Sequence, residues 1–192
     1  MRLARTLGVL AGLGLLACEH ASSPSSPLVR TDPRLQRSAA AEDDDFGSAA
    51  GAGQYSINGL IVTFAFDAEL EKNGKGEGEF SVYADEGGGL IVDFDAKVTC
   101  VSFDPVNHRA WIGGKVKDNR SSDPALLTEI HKNGRDIWFR VLDDASGDRS
   151  TFVGFEGAAG FITSEEYCAG QPWPAANART WPVVSGGISL NP

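Results

Sequence analysis

The strongest constraint on this chain is a period of two. In "LIVTFAFDAEL", residues 60–70, Leu60, Val62, Phe64, Phe66, Ala68 and Leu70 share one phase, and Thr63, Asp67 and Glu69 occupy the other. Successive side chains on a strand point to opposite faces, so such a segment buries one apolar face only as a β-strand. The pattern recurs in "EFSVYA", with Phe80, Val82 and Ala84 in phase. In "LIVDFDAKVTC", Leu90, Val92, Phe94, Ala96, Val98 and Cys100 oppose Asp93, Asp95, Lys97 and Thr99, which places Cys100 on the inward phase. Turn signals divide these runs: "KNGKG" around Asn73-Gly74, then "DEGGG" and "DPVNH". Further strands are expected in "RAWIGGKVK", "DIWFRVLDD", a shorter "TFVGF", and near Val183 to Leu190. No segment has a convincing helical period, although Asp123 and Pro124 in "DPALLTEIHKNG" could cap one or two turns. About seven or eight short strands with short connections predict an all-β domain, an antiparallel sandwich or barrel.

The beginning of the chain reads differently. Arg2 and Arg5 precede the apolar run from Leu7 to Leu16. That run is short of the roughly 20 apolar residues a membrane-spanning helix needs, and it fits a cleaved export signal over residues 1–17. The residues that follow, Leu15-Leu16-Ala17-Cys18, resemble a bacterial lipobox. Ala17 suits the small position before the cysteine, and Leu16 departs from the smaller residue common at its place. The resemblance implies that Cys18 takes a diacylglycerol thioether. The chain would then be a membrane-anchored lipoprotein of the bacterial envelope, facing the periplasm or the exterior. Residues 18–53, with "SSPSSP" and "RSAAAEDDDFGSAAGAG", consist of Ser, Pro, Ala, Gly and charge. They lack the apolar surface to offset chain entropy and are expected to be a disordered tether. About 35 such residues reach about 30 Å. Residues 54–192 remain as a single domain of ordinary size.

Cysteine count and charge narrow the partners. The three cysteines are Cys18, Cys100 and Cys168. With Cys18 lipidated, the other two form an even pair, and an exported chain favours a Cys100–Cys168 bridge. Closing a loop of roughly seventy residues contributes about 4 kcal/mol in the chain-entropy model. The net charge is −9, and losing residues 1–17 removes two arginines and no acid. So acidic a chain is repelled by nucleic acid and by anionic lipid. Membrane attachment is left to the acyl chains on Cys18.

Catalytic patterns are sparse. The three histidines, His20, His108 and His131, sit in the tether or in turns, and no Gly-x-Ser-x-Gly elbow occurs. "IGGKVK" lacks the spacing and hydroxyl of a phosphate loop. The loop "LDDASGDRS" gathers Asp143, Asp144, Ser146 and Asp148, oxygen ligands of the kind calcium takes. Its spacing is not that of an EF-hand, and a polar hairpin turn accounts for it equally. Trp173 and Trp181 each precede a proline, which forces extended geometry on the ring-bearing residue. The two rings could stack on sugars or grip a partner, or they could fold back as a lid on the core. Trp111 and Trp138 lie out of phase with their apolar neighbours and either cover a second sheet face or line a binding face.

The stretch "AKVTCVSFDPVNHRAWIGGKVKD", with "DIWFRVLDD" and "GDRSTF" after it, resembles a diffuse group of small exported bacterial β-domains. The likeness covers roughly residues 78 to 155 and implies a sandwich-like β-domain; it carries no activity. The resulting expectation is a non-catalytic binding or structural domain without a cofactor, whose partner is an envelope protein or glycan. The alternative is a carbohydrate- or calcium-dependent binding module using Trp173, Trp181, Asp143, Asp144 and Asp148. A hydrolase using surface acids is a third reading.

Overall fold

The computed structural model describes residues 47–128, 131–154 and 161–192. The expected signal segment, Cys18 and residues 19–46 of the expected tether lie outside the described residues. The described chain forms strands β1 (Ser48–Ile57), β2 (Leu60–Leu70), β3 (Gly76–Gly87), β4 (Leu90–Asp104) and β5 (Arg109–Asn119). Strands β6 (Asp136–Leu142), β7 (Arg149–Ser150) and β8 (Trp181–Asn191) follow, with one helix, α1 (Ser164–Gly170), before β8. Each strand pairs antiparallel with the next, and β8 returns to pair with β1. The fold is therefore a closed up-and-down barrel, and closure leaves no free edge between first and last strands.

The phases read from the sequence of β2 and β3 are those of the structure. Val62, Phe64, Phe66 and Ala68 on β2 and Phe80, Val82 and Ala84 on β3 are buried in the interior. Asn73-Gly74 makes the expected turn, in which Gly74 N–H donates to Glu71 O and Glu71 N–H to Lys75 O. An eight-stranded barrel has an interior just wide enough for side chains, and aromatic rings occupy this one. Phe139 meets Phe66 and Phe80 edge-on, with centroids 5.3 and 5.1 Å apart, and Phe64 lies against Tyr55 at 5.6 Å.

Four expectations need correction. The tether does not extend to residue 53, because β1 begins at Ser48. "SAAGAGQYSI" looks like linker because it lacks bulk, yet the bulk comes from its neighbour: a Cβ on Gly51 would lie 2.6 Å from the Phe66 ring. The sparse strand and the aromatic strand are complementary. Second, Cys100 does not point inward. The register of β4 against β5 slips between Val98 and Cys100, and such a bulge re-aims the side chains beyond it. Val101 and Phe103 take over the inward phase. Cys100 Sγ lies on the outer side, 2.7 Å from where a Cβ on Gly113 would stand, and is bonded to Cys168 of α1.

Third, only Arg149–Ser150 of the region around "TFVGF" is strand. Residues 151–154 bend instead, and Val153 is buried in the barrel, donating its N–H to the Tyr55 phenol oxygen at 3.0 Å. Fourth, α1 is a helix where none was expected. Thr163 caps it by accepting the Glu166 N–H at 3.2 Å, and the capping oxygen satisfies one of the orphan donors of its first turn. A short helix buries Ser164, Tyr167 and Cys168 on one side, too brief a run to show a period. The turn anticipated at Asp123-Pro124 is a 3-10 helix, Pro124–Leu126, with Asp123 accepting the Ala125 N–H at 2.9 Å.

Because Phe139 joins the rings of β2 and β3, Phe139→Ala should cost about 3–5 kcal/mol. Urea denaturation of the purified chain measures this. A midpoint shift worth less than about 1 kcal/mol would mean that the ring cluster does not hold the barrel.

Candidate functional site

A second layer covers one side of the barrel. The outer side of β4, β5 and β6 carries Cys100, Trp111, Gly113 and Trp138, and α1 with the segment after it lies against them. Trp111 is 2 % exposed and its indole N–H donates to Pro172 O at 2.8 Å. Trp138 stacks on Tyr167 at 5.6 Å. These two rings thus cover a second face; they do not line an open one. The helix start is held by Asp136, which accepts from the Ser164 hydroxyl at 2.7 Å, from Ser164 N–H at 3.2 Å and from Lys115 Nζ at 2.8 Å. Partial burial pushes the Asp136 carboxyl up, but the bonds from Lys115 and Ser164 outweigh it and hold the group below the usual carboxylate range.

The sequence-selected tryptophans sit in packing contacts. Trp173 meets Trp111 edge-on at 5.8 Å and donates its N–H to Asn177 Oδ1 at 3.0 Å. The guanidinium carbons of Arg109 and Arg140 lie 4.4 and 5.0 Å from its ring centroid, within cation–π range. Arg140 is buried and donates to Ala178 O at 2.6 Å and to Pro172 O at 3.3 Å. Trp181 stacks on Tyr55 at 6.2 Å. Burial raises the Tyr55 pKa, partly opposed by the Val153 N–H, so the phenol stays neutral. Trp181 thus packs against the barrel core, and Trp173 packs in the outer layer beside Trp111.

The acidic loop serves strand β8. With β7 only two residues long, most of β8 has no strand on its far side. Asp148 Oδ2 accepts the Ile188 N–H at 2.7 Å and Asp143 Oδ2 accepts the Leu190 N–H at 3.1 Å. Asp148 also takes the Val183 N–H on its backbone oxygen. Alternate N–H groups of β8 thus meet carboxylates where a neighbouring strand would offer carbonyls. Asp144 turns back on its own loop, accepting the Ser146 N–H at 2.8 Å, which with a further Ser146 contact lowers its pKa. Among the described residues no group of three His, Cys, Asp or Glu side chains is placed to hold a metal ion.

The uncovered outer side of β2, β3 and β4 is where the structure departs most from sequence reasoning. Arg120, just after β5, binds Asp93 through two nitrogens at 2.7 and 3.1 Å, Asp95 at 2.9 Å and Asp118 at 2.6 Å. Bonds from Asp93 first, then from Asp95 and Asp118, hold the guanidinium far above even its ordinary value. Beside this cluster Tyr83 is directly opposite both Thr63 and Asp93, Ile91 is opposite Asp85, and Ile61 stands two residues before Thr63 on β2. Asp93 and Asp95 are unremarkable as alternating strand acids; only the fold brings Arg120 to them. Tyr83 was legible as an aromatic on the polar phase of β3, between inward Val82 and Ala84. His131 sits apart, with Nδ1 3.1 Å from the Thr128 hydroxyl, and burial lowers its pKa despite a backbone contact at Ala125.

Comparison with protein-family models, curated proteins and solved structures finds no match to this chain.

Removing the β8 acceptor with Asp148→Ala should cost about 1–3 kcal/mol, read as a lower urea midpoint, and Asp148→Asn should recover part of it. Equal midpoints for all three proteins would disprove the latch. Asp136 has a depressed folded-state pKa, so its contribution is complete above the unfolded value of about 3.9 and is lost as pH falls through the folded value. Asp136→Asn should therefore be less stable at neutral pH, with the difference shrinking in acid. A difference that grows on acidification would contradict the assigned bonds.

Proposed function

We propose that this chain is an exported lipoprotein, attached to the bacterial envelope through a lipid on Cys18, whose barrel acts by binding at its outer surface. The observation that carries the second half is the filled interior. Phe64, Phe66, Phe80, Phe94 and Phe139 occupy the space in which a wider barrel would hold a ligand. A ligand must then meet the outside, and of the outer faces that of β4 to β6 is already covered by α1 and its following segment. The first half rests on the lipobox-like Leu15-Leu16-Ala17-Cys18 and on the pairing of the two remaining cysteines with each other. The acidic charge supports a protein or glycan partner over nucleic acid. The spacing of histidines and acids supports binding over catalysis.

Expression of the full chain in a bacterium fed labelled palmitate tests the anchor. The wild-type protein should carry label and sediment with membranes, and Cys18→Ala should do neither. Label retained by Cys18→Ala, or none on the wild type, would refute the lipoprotein reading.

A further inference from the structure

We propose that the outer face of β2, β3 and β4, at the barrel end carrying the turn after Ile57 and the turn after Gly87, docks an extended peptide segment of a protein partner whose apolar and cationic side chains stand two residues apart, on one face. The surface deepens the outward-binding reading, and its test does not depend on the lipid at Cys18.

Register puts the patch together. Thr63, Tyr83 and Asp93 form one row across the three strands; Ile61 stands two residues before Thr63 on β2, and Ile91, opposite Asp85, two residues before Asp93 on β4. Tyr83 is thus diagonal to both isoleucines, within reach of a large ring. Ile61 is 47 % exposed and Tyr83 46 %. The next outward positions along the same strands are small or polar, Ala65 and Ser81, so the apolar group is local to this end. Large apolar side chains grouped on an exposed face mark interaction sites.

Charge selects the occupant. Asp85 is opposite Ile91, Glu86 follows it, and Asp93 is opposite Tyr83. Arg120 binds Asp93, Asp95 and Asp118 together, so this group carries two more negative charges than positive. Nucleic acid, an anionic bilayer or a second copy presenting the same acids would be repelled. A lysine or arginine on a peptide would be attracted by the carboxylates and by the Tyr83 ring face, with apolar side chains two residues to either side, on the same face of an extended chain, set on Ile61 and Ile91. Strands about 4.8 Å apart give three strands a width of about 10 Å, which suits one extended segment.

The test titrates the full chain, in detergent and at physiological salt, into a fluorescent twelve-residue peptide repeating Leu-Ser-Lys-Ser. Companion peptides repeat Leu-Ser-Glu-Ser and Ser-Ser-Lys-Ser. The leucine–lysine peptide should bind, the other two at least tenfold more weakly. The double variant Ile61→Ser, Tyr83→Ser should lose at least tenfold in affinity with an unchanged melting temperature, since both side chains are exposed. Failure of the leucine–lysine peptide to bind, equal binding of the serine–lysine peptide, or full affinity in the double variant would each overturn the proposal. So would self-association of the wild type in sedimentation that the double variant abolishes, which would make the occupant a second copy.

Discussion

Everything else in this molecule depends on the pairing of β1 with β8. Eight residues of β1, Ser48 to Tyr55, pair antiparallel with β8, and that contact turns a meander into a barrel. It is lean at its middle, where Ala52 and Gly53 of β1 meet Gly187 and Gly186 of β8. Lean strands are needed there because β2 across from β1 carries Phe64 and Phe66 into a space only wide enough for one layer of rings. Where a neighbour fills the volume, glycine is the residue that fits. The rings fill the barrel, and the middle of its closing seam relies on alanine and glycine.

The seam opposite that closure is handled by chemistry of another kind. β7 pairs through two residues on each side, so backbone alone cannot complete the ladder. Carboxylates of the loop between β6 and β7 take alternate N–H groups of β8, and the same loop adds a backbone oxygen. A charged acceptor makes a stronger hydrogen bond than a neutral one, which compensates for a strand that is nearly absent. Outside the barrel, the Cys100–Cys168 bond, the Asp136 cap and the Arg140 bonds to Pro172 and Ala178 hold a second layer against β4 to β6. The covered side is rich in tryptophan; the side of β2 to β4 left open carries Tyr83, Ile61 and the Arg120 cluster.

The candidate site was legible in part. The pairing of Cys100 with Cys168 follows from counting cysteines and holds in the structure. The inward phase expected for Cys100 does not hold, because a bulge has no signature in a run that alternates without a break. Trp173 stands out in the sequence as a ring beside a proline, but its partners Arg109, Arg140 and Trp111 come from β5 and β6. Asp143 and Asp148 stand out in the sequence as oxygen ligands, and the N–H groups they accept belong to β8, some forty residues later. In each case the side chain was identifiable and its partner was distant.

By itself the sequence determined the all-β class, the inward faces of β2 and β3 and the sharp turn at Asn73-Gly74. These rest on local rules: the two-residue period of a pleated chain and the turn preference of an asparagine–glycine pair. It did not determine that the strands close into a barrel, that "SAAGAG" is a strand, or that Arg120 gathers three carboxylates. Those depend on contacts between residues far apart in the chain, and a glycine or an aspartate has no preference of its own that reveals what will stand opposite it. Only the tertiary structure supplies the Phe66 ring beside Gly51 and the β8 N–H groups beside Asp143 and Asp148.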